Sequence, residues 1–222
     1  ALPISAQIRR AARNLATASN KLLSSDELSQ FTEAIPNLFQ IPESVLDITE
    51  LNLSKLGLKY LSPVICEFVN VEWLRLFENL LTTVPDSLDN LSKLENLAMN
   101  ENQLIEVPDS LGNLPKLERL LLHSNQLKRV PESIRNLSNL RELILDANQL
   151  TELPKGVCDL TNLEELWLNE NQFTEVPDSL RGLSNLKRLF MYTNQLTTVP
   201  EWVSNLPKLE WVLFNSNSFS ES

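Results

Sequence analysis

His123 is the only histidine in the sequence, and Cys66 and Cys158 are its only cysteines. A nucleophile, a general base or a zinc site would be built most readily from these side chains. Their placement argues against all three. The cysteines stand 92 residues apart, four turns of a 23-residue period, and share one offset within it. His123 falls at a different offset, expected on the opposite side of the molecule, so no Cys–His pair is predicted. With four glycines in all, the chain has no Gly-rich phosphate loop. Asp146, Glu165 and Glu170 are expected to share an open surface. Such a surface has no enclosing walls to shift a carboxylate's pKa, and these residues are read as a solvated face. No enzyme activity, no metal and no cofactor is expected within these residues.

The spacing that dominates the sequence is a repeat. LENLAMNENQLIEVPDSLGNLPKL from Leu94 returns as LERLLLHSNQLKRVPESIRNLSNL from Leu117 and as LRELILDANQLTELPKGVCDLTNL from Leu140. The unit is L-x-x-L-x-L-x-x-N-x-L-x-x-V-P-x-S-L-x-N-L-x-x. It starts at Ile48, Val71, Leu94, Leu117, Leu140, Leu163, Leu186 and Leu209, each 23 residues after the last. A fixed period in the twenties with apolar residues at fixed offsets predicts a solenoid. In L-x-x-L-x-L the leucines of a short strand point inward and the residues between them outward. One unit cannot bury its inner face alone, so units stack and their strands pair in parallel.

Asn79, Asn102, Asn125, Asn148, Asn171, Asn194 and Asn217 recur where the chain leaves each strand. A buried amide there can satisfy backbone groups freed by the turn, forming a ladder along the stack. Leu56 holds this position in the first unit, whose turn is expected to be satisfied otherwise, by the segment that precedes it. Pro85, Pro108, Pro131, Pro154, Pro177 and Pro200 are expected in the first turn of short helical or 3-10 pieces, such as residues 85–91. These pieces take more room than strands, so the stack should curve with its sheet inside. Cys66 and Cys158, on the convex side, are read as small buried hydrophobes. Strand spacing puts them about 20 Å apart, beyond disulfide reach.

The 222 residues carry a net charge of −10, which disfavours nucleic acid as a partner. No run approaches the roughly 18 apolar residues of a membrane span, and no stable membrane insertion is expected. From Ile4 to Leu22 apolar residues fall at helical spacing, and Ser24 with Glu27 has capping-box spacing before Leu28 and Phe31. Residues 1–40 are therefore expected to form an N-terminal helical cap over the first strand. A targeting helix is the competing reading, because residues 1–25 hold Arg, Ala and Ser but no acid.

The repeat over residues 41–222 resembles the leucine-rich repeat family, and eight successive units make the match specific. The resemblance implies a curved α/β solenoid, with a parallel sheet on the concave side and short 3-10 or α segments on the convex side. Its N-Q-L…V-P-x-S-L form is similar to intracellular Ras-group scaffolds and to many bacterial repeat proteins. A shortened unit at Ile41-Pro42-Glu43-Ser44-Val45 behind a helical segment resembles the leucine-rich domains of effectors that bacteria deliver into host cells. Those effectors often carry a ubiquitin-ligase domain beyond the repeats, although their repeats are usually shorter. The absence of cysteine-rich caps favours a reducing compartment or a bacterial origin. The last unit stops at Phe219 before its proline segment, so a longer protein is expected.

Proteins of this resemblance usually bind partners on the concave face. There Leu121, Ile144, Trp167, Phe190 and Leu213 occupy one outward position on five consecutive strands, an apolar stripe about 20 Å long. Tyr192 and Trp211 extend it, Arg188 rims it with Glu142 and Glu165, and His123 shares the face. A large apolar patch with a polar rim marks a protein contact, with Trp, Tyr and Arg as favoured anchors. Two other readings remain: the side chains pack on one another to stabilise the sheet, or a further domain folds over them. The expected role is protein recognition. Substrate recruitment for an enzyme domain outside this chain and a self-associating scaffold are the alternatives. Trp73 and Phe77 form a smaller cluster, read as cap packing or sheet stabilisation.

Overall fold

A computed structural model describes residues 49–219 apart from residue 62. The expected helical cap over residues 1–40 lies outside the described residues. Each unit contributes one three-residue strand: β1 (Glu50–Asn52), β2 (Trp73–Arg75), β3 (Asn96–Ala98), β4 (Arg119–Leu121), β5 (Glu142–Ile144), β6 (Glu165–Trp167), β7 (Arg188–Phe190) and β8 (Trp211–Leu213). They form one open parallel sheet in sequence order, each strand paired to the next at a shift of one whole unit.

The middle residue of each strand points into the core. Leu51, Leu74, Leu97, Leu120, Leu143, Leu166 and Leu189 are all buried. Behind the sheet lies a second layer of five-residue 3-10 segments, among them Asp86–Asn90, Asp109–Asn113 and Lys155–Asp159. Their inward residues, such as Leu88, Leu111 and Val157, close the core from the other side. Each buried leucine contributes about 1.5–3 kcal/mol from removal of its apolar surface from water. At the free edge of the sheet Val212 holds a core position yet is 40% exposed, because β7 covers it on one side only.

The prolines sit one residue earlier than the sequence suggests. Pro85, Pro108, Pro131, Pro154 and Pro200 are N-cap residues with ψ between 145° and 156°, and each segment begins at the next residue. An extended ψ makes the corner, and the proline carbonyl accepts the first 3-10 hydrogen bond, from Leu88 N–H to Pro85 at 3.1 Å.

The asparagine ladder forms, and it reaches backwards. The Asn148 amide nitrogen donates to the Leu145 carbonyl of its own unit and to the Leu122 carbonyl of the preceding one, both at 3.0 Å. Its Oδ1 accepts from Leu127 N–H of the preceding unit at 2.9 Å. The same pattern runs from Asn79 to Asn217. In the first unit Leu56 stands in place of asparagine, and the segment expected to support its turn lies outside the described residues. Its turn is held by Asn79 of the following unit, whose Oδ1 accepts from Leu56 N–H (3.1 Å) and Leu58 N–H (3.0 Å).

One residue before each ladder position the backbone is left-handed, with φ between 51° and 61° at Lys55, Glu78, Glu101, Ser124, Ala147, Glu170, Thr193 and Ser216. None is glycine. Each costs about 1 kcal/mol, which the ladder bonds that follow must offset.

Replacing Asn148 by Ala strands three buried backbone groups, at about 1 kcal/mol or more each. The expected loss of unfolding free energy is about 3 kcal/mol. Asn217→Ala, at the part-buried end of the ladder, should cost less than half as much. Urea unfolding of the two variants checks the order, and equal losses would contradict the ladder's role.

Candidate protein-binding face

The outward side of the sheet carries three side-chain columns, set by the third, fifth and seventh residues of each unit. The fifth column is the apolar one. Strand register joins Leu121 to Ile144, Ile144 to Trp167, Trp167 to Phe190 and Phe190 to Leu213. All five predicted residues therefore lie side by side. Trp167 and Phe190 meet edge to face with ring centroids 4.6 Å apart, a contact worth about 0.5–1.5 kcal/mol beyond area burial.

Exposure along this column is uneven, which amends the expectation of a stripe facing solvent throughout. Ile144 is only 6% exposed, flanked in register by Leu121 on one side and the much larger Trp167 on the other. Leu121, Trp167 and Phe190 are half-buried. Leu213 and its third-column neighbour Trp211 are open, at 43% and 62%. The stripe thus packs partly on itself and still presents aromatic surface.

The third column supplies charge of both signs. Arg119, Glu142, Glu165 and Arg188 follow one another in register, and Arg188 pairs with Glu165. Arg188 therefore faces the candidate site as half of an ion pair. Burial pushes the Glu142 carboxyl above the usual carboxylate range, and Glu165 adds to the shift, while Arg119 and Arg188 pull it back.

The seventh column holds His123, Asp146, Asn169 and Tyr192, and its register is kept by main-chain bonds such as Ala147 N–H to the Asn169 carbonyl (3.0 Å). Burial raises Asp146, with the His123 charge acting against it. Burial, and then Glu170 and Asp146, raise the Tyr192 phenol. Sequence reasoning placed His123 and Tyr192 on this face but gave Asp146 no role beyond a solvated surface. The signal was available, since Asp146 sits at the same offset as both.

In the smaller cluster each ring lies beside a cation, Arg75 at Trp73 and Lys55 at Phe77. The Arg75 guanidinium lies 3.6 Å from the Trp73 ring centroid and pairs with Glu50 at 3.2 Å, which supports the reading of sheet stabilisation. The cysteines occupy equivalent places in the 3-10 segments Pro63–Glu67 and Lys155–Asp159. Cys66 is buried as expected, but Cys158 is half-buried and donates through Sγ to Asp159 at 3.5 Å. The position lies at the rim of the convex layer, where Arg135 and Arg181 of adjacent units are exposed. Among the described residues no group of three or more His, Cys, Asp or Glu is placed to hold a metal. No helix among them is long and apolar enough to cross a membrane.

Two family models match the chain: a leucine-rich repeat region over residues 132–220 and a leucine-rich repeat over residues 106–150. Together they span residues 106–220, more than half the sequence. The chain is a leucine-rich repeat protein. No curated protein matches it. Among solved structures this leucine-rich repeat chain is similar to a leucine-rich repeat protein of Leptospira interrogans, at 29% identity over 82% of this chain and TM-score 0.70. It is also similar to a plant peptide hormone receptor, RGFR1, solved in complex with RGF2, at 27% identity over 78% of this chain and TM-score 0.69. An internalin of Listeria monocytogenes shares the fold at 22% identity over 80% of this chain, with TM-score 0.61. The chain spans 52% of the Leptospira protein, 29% of the receptor and 59% of the internalin. Leucine-rich repeat domains generally mediate protein–protein interaction.

Because the folded pKa of Glu142 is raised, the folded state binds its proton more tightly than the unfolded state does. That contribution is complete below about pH 4, the unfolded value, and is lost as pH rises through the folded one. At neutral pH the ionised carboxylate therefore works against the fold. Glu142→Gln should raise the thermal midpoint by about 1–2 °C at pH 7 and leave it unchanged at pH 3. Calorimetry at the two pH values checks this, and a lower midpoint at pH 7 would contradict it.

Proposed function

We propose that this chain is a recognition module that binds a partner protein on the outward face of its sheet, over units four to eight. Trp167 and Phe190 are the central anchors. Leu121, Ile144, Leu213, Tyr192 and Trp211 extend the contact, and Arg188 and His123 flank it. The observation that carries this reading is the apolar column running in register across five strands beside a charged column, on the side of the sheet away from the core. Aromatic anchors bordered by charge are the usual composition of a protein contact. The plant receptor of similar structure, solved in complex with RGF2, supports recognition as the role.

A second reading places the module in a bacterial protein that recruits substrates for a catalytic domain, such as a ubiquitin ligase, outside these residues. The similarity to the Leptospira protein supports only the bacterial part of this reading. On this reading the module works inside a cell, the bacterium's own or that of a host. A self-associating scaffold is the third reading, and light scattering tests it.

Capture from host and bacterial lysates identifies the partner, and the Trp167→Ala/Phe190→Ala double variant tests the face. Binding should fall below detection. Both side chains are half-buried against each other, so the variant should also lose about 2–4 kcal/mol of stability yet remain folded at 25 °C. A surface control, Lys128→Ala, should capture as well as the native chain. Full retention of binding by the double variant would reject this face.

A further inference from the structure

Two neighbours on the outward face are both left unsatisfied. His123 and Asp146 are seventh-column residues of successive units, and Ser124 N–H donates to the Asp146 carbonyl at 3.0 Å, which sets the two side chains side by side. Neighbours in such a row lie about 4.8 Å apart. His123 Nδ1 and Asp146 Oδ1 are each buried, and neither has a hydrogen-bond partner among the described residues. None of the ion pairs among those residues involves either side chain. Further along the row the demand is met, since Asn169 hydrogen-bonds the Tyr192 phenol. Buried polar atoms in native proteins are almost always paired, so the gap between His123 and Asp146 calls for an explanation.

One proton closes it. A neutral imidazole with its hydrogen on Nε2 leaves Nδ1 and the carboxylate oxygen as two acceptors with nothing to share. An imidazolium donates from both nitrogens, and the same two atoms then make a charge-assisted hydrogen bond. His123 is the only histidine in the sequence, and imidazole is the side chain that ordinarily titrates between about pH 5 and 8.

The surrounding groups favour a positive charge at this place. Burial holds the Asp146 carboxyl above its usual range and Glu170 of the following unit adds to the shift, while the His123 charge opposes it. On the preceding unit Asn100 is next to His123 in the row, and its amide donates to the Glu101 carboxylate at 3.3 Å. Tyr192 lies beyond Asn169, and burial raises its phenol. Arg119 and Glu142 occupy the third column of the same two strands, across Leu121 and Ile144.

We propose that His123 and Asp146 form a proton-operated pair beside the apolar column, unpaired while the imidazole is neutral and joined as imidazolium and carboxylate when it takes a proton from solvent. The joined form is the one that favours docking. A partner lying over the column strips water from the face around it, and a lone carboxylate loses more by that than a charge-compensated pair does. This rests on the recognition role proposed above and gives that face a dependence on pH.

Thermal midpoints at about pH 5.5 and 7.5 test the pair on the chain alone. The double variant His123→Gln/Asp146→Asn removes both titrations and supplies the background, that of Glu142 included. A pair that holds its proton more firmly in the folded state gains stability as pH falls. Between the higher and the lower pH the native midpoint should therefore rise by about 2 °C or more relative to the double variant. In Asp146→Asn a buried imidazolium has no counter-charge, and the midpoint should fall relative to the double variant. A native chain that gains nothing over the double variant, or an Asp146→Asn chain that gains as much as the native one, overturns the pair. The effect on docking is read on the protein that the native chain captures and the Trp167/Phe190 variant does not. The native chain should retain at least about threefold more of it at the lower pH, and Asp146→Asn should not. Retention that ignores pH, or that keeps the same pH dependence in Asp146→Asn, overturns the effect on docking and leaves the recognition face standing. No capture at either pH overturns the face and the effect on docking with it, while the midpoints still decide the pair.

Discussion

The fold depends on the buried amide that follows each strand. A parallel stack of three-residue strands leaves many main-chain groups at its corners with no partner in the sheet. One asparagine per unit answers them: its nitrogen ties its own strand's exit to the carbonyl of the unit before, and its oxygen takes that unit's next N–H. The leucines supply most of the free energy, but burial is indifferent to direction and register. The amide fixes both, because its donor and acceptor reach only one place on the preceding coil.

The same constraint shapes the outward face. Each unit must leave its strand by the same left-handed residue, so the third, fifth and seventh side chains emerge at the same heights in every unit. Positions that are free to vary then form columns, and a column's chemistry is the sum of independent choices. Leu121, Ile144, Trp167, Phe190 and Leu213 became a stripe because five separate positions are apolar. Asp146 and Asn169 stand beside it because nothing in the scaffold requires otherwise. The rigid part is repetitive and the outward positions are free to differ from unit to unit, the usual division between a scaffold and the surface it presents.

Much of this was legible in the residues. The 23-residue period gave the strands, their parallel order and the outward columns, because side-chain direction in a strand depends only on parity. It could not give depth. Ile144 is buried between Leu121 and Trp167, which is a property of neighbours across the sheet and not of position. Nor could it give the partner of each amide. Asn79 is where the pattern requires it, but its grip on Leu56 and Leu58 of the preceding unit appears only in three dimensions. The left-handed turns were hidden because the residues that adopt them include Ala147 and Thr193, which have no preference for that conformation. The prolines signalled a segment start but not the extended ψ that puts them just ahead of it.

The backward reach of the asparagines gives the molecule a grammar of insertion. A copied stretch of one full period brings its own amide and its own acceptor sites, so every bond re-forms and the wall grows by a strand's width, about 4.8 Å. A fraction of a period misplaces one amide and unsettles two coils at once. Lengthening by whole copies is therefore the easy route for such a chain. The span of partner it can hold changes in steps of one strand, each adding three fresh outward positions to be filled.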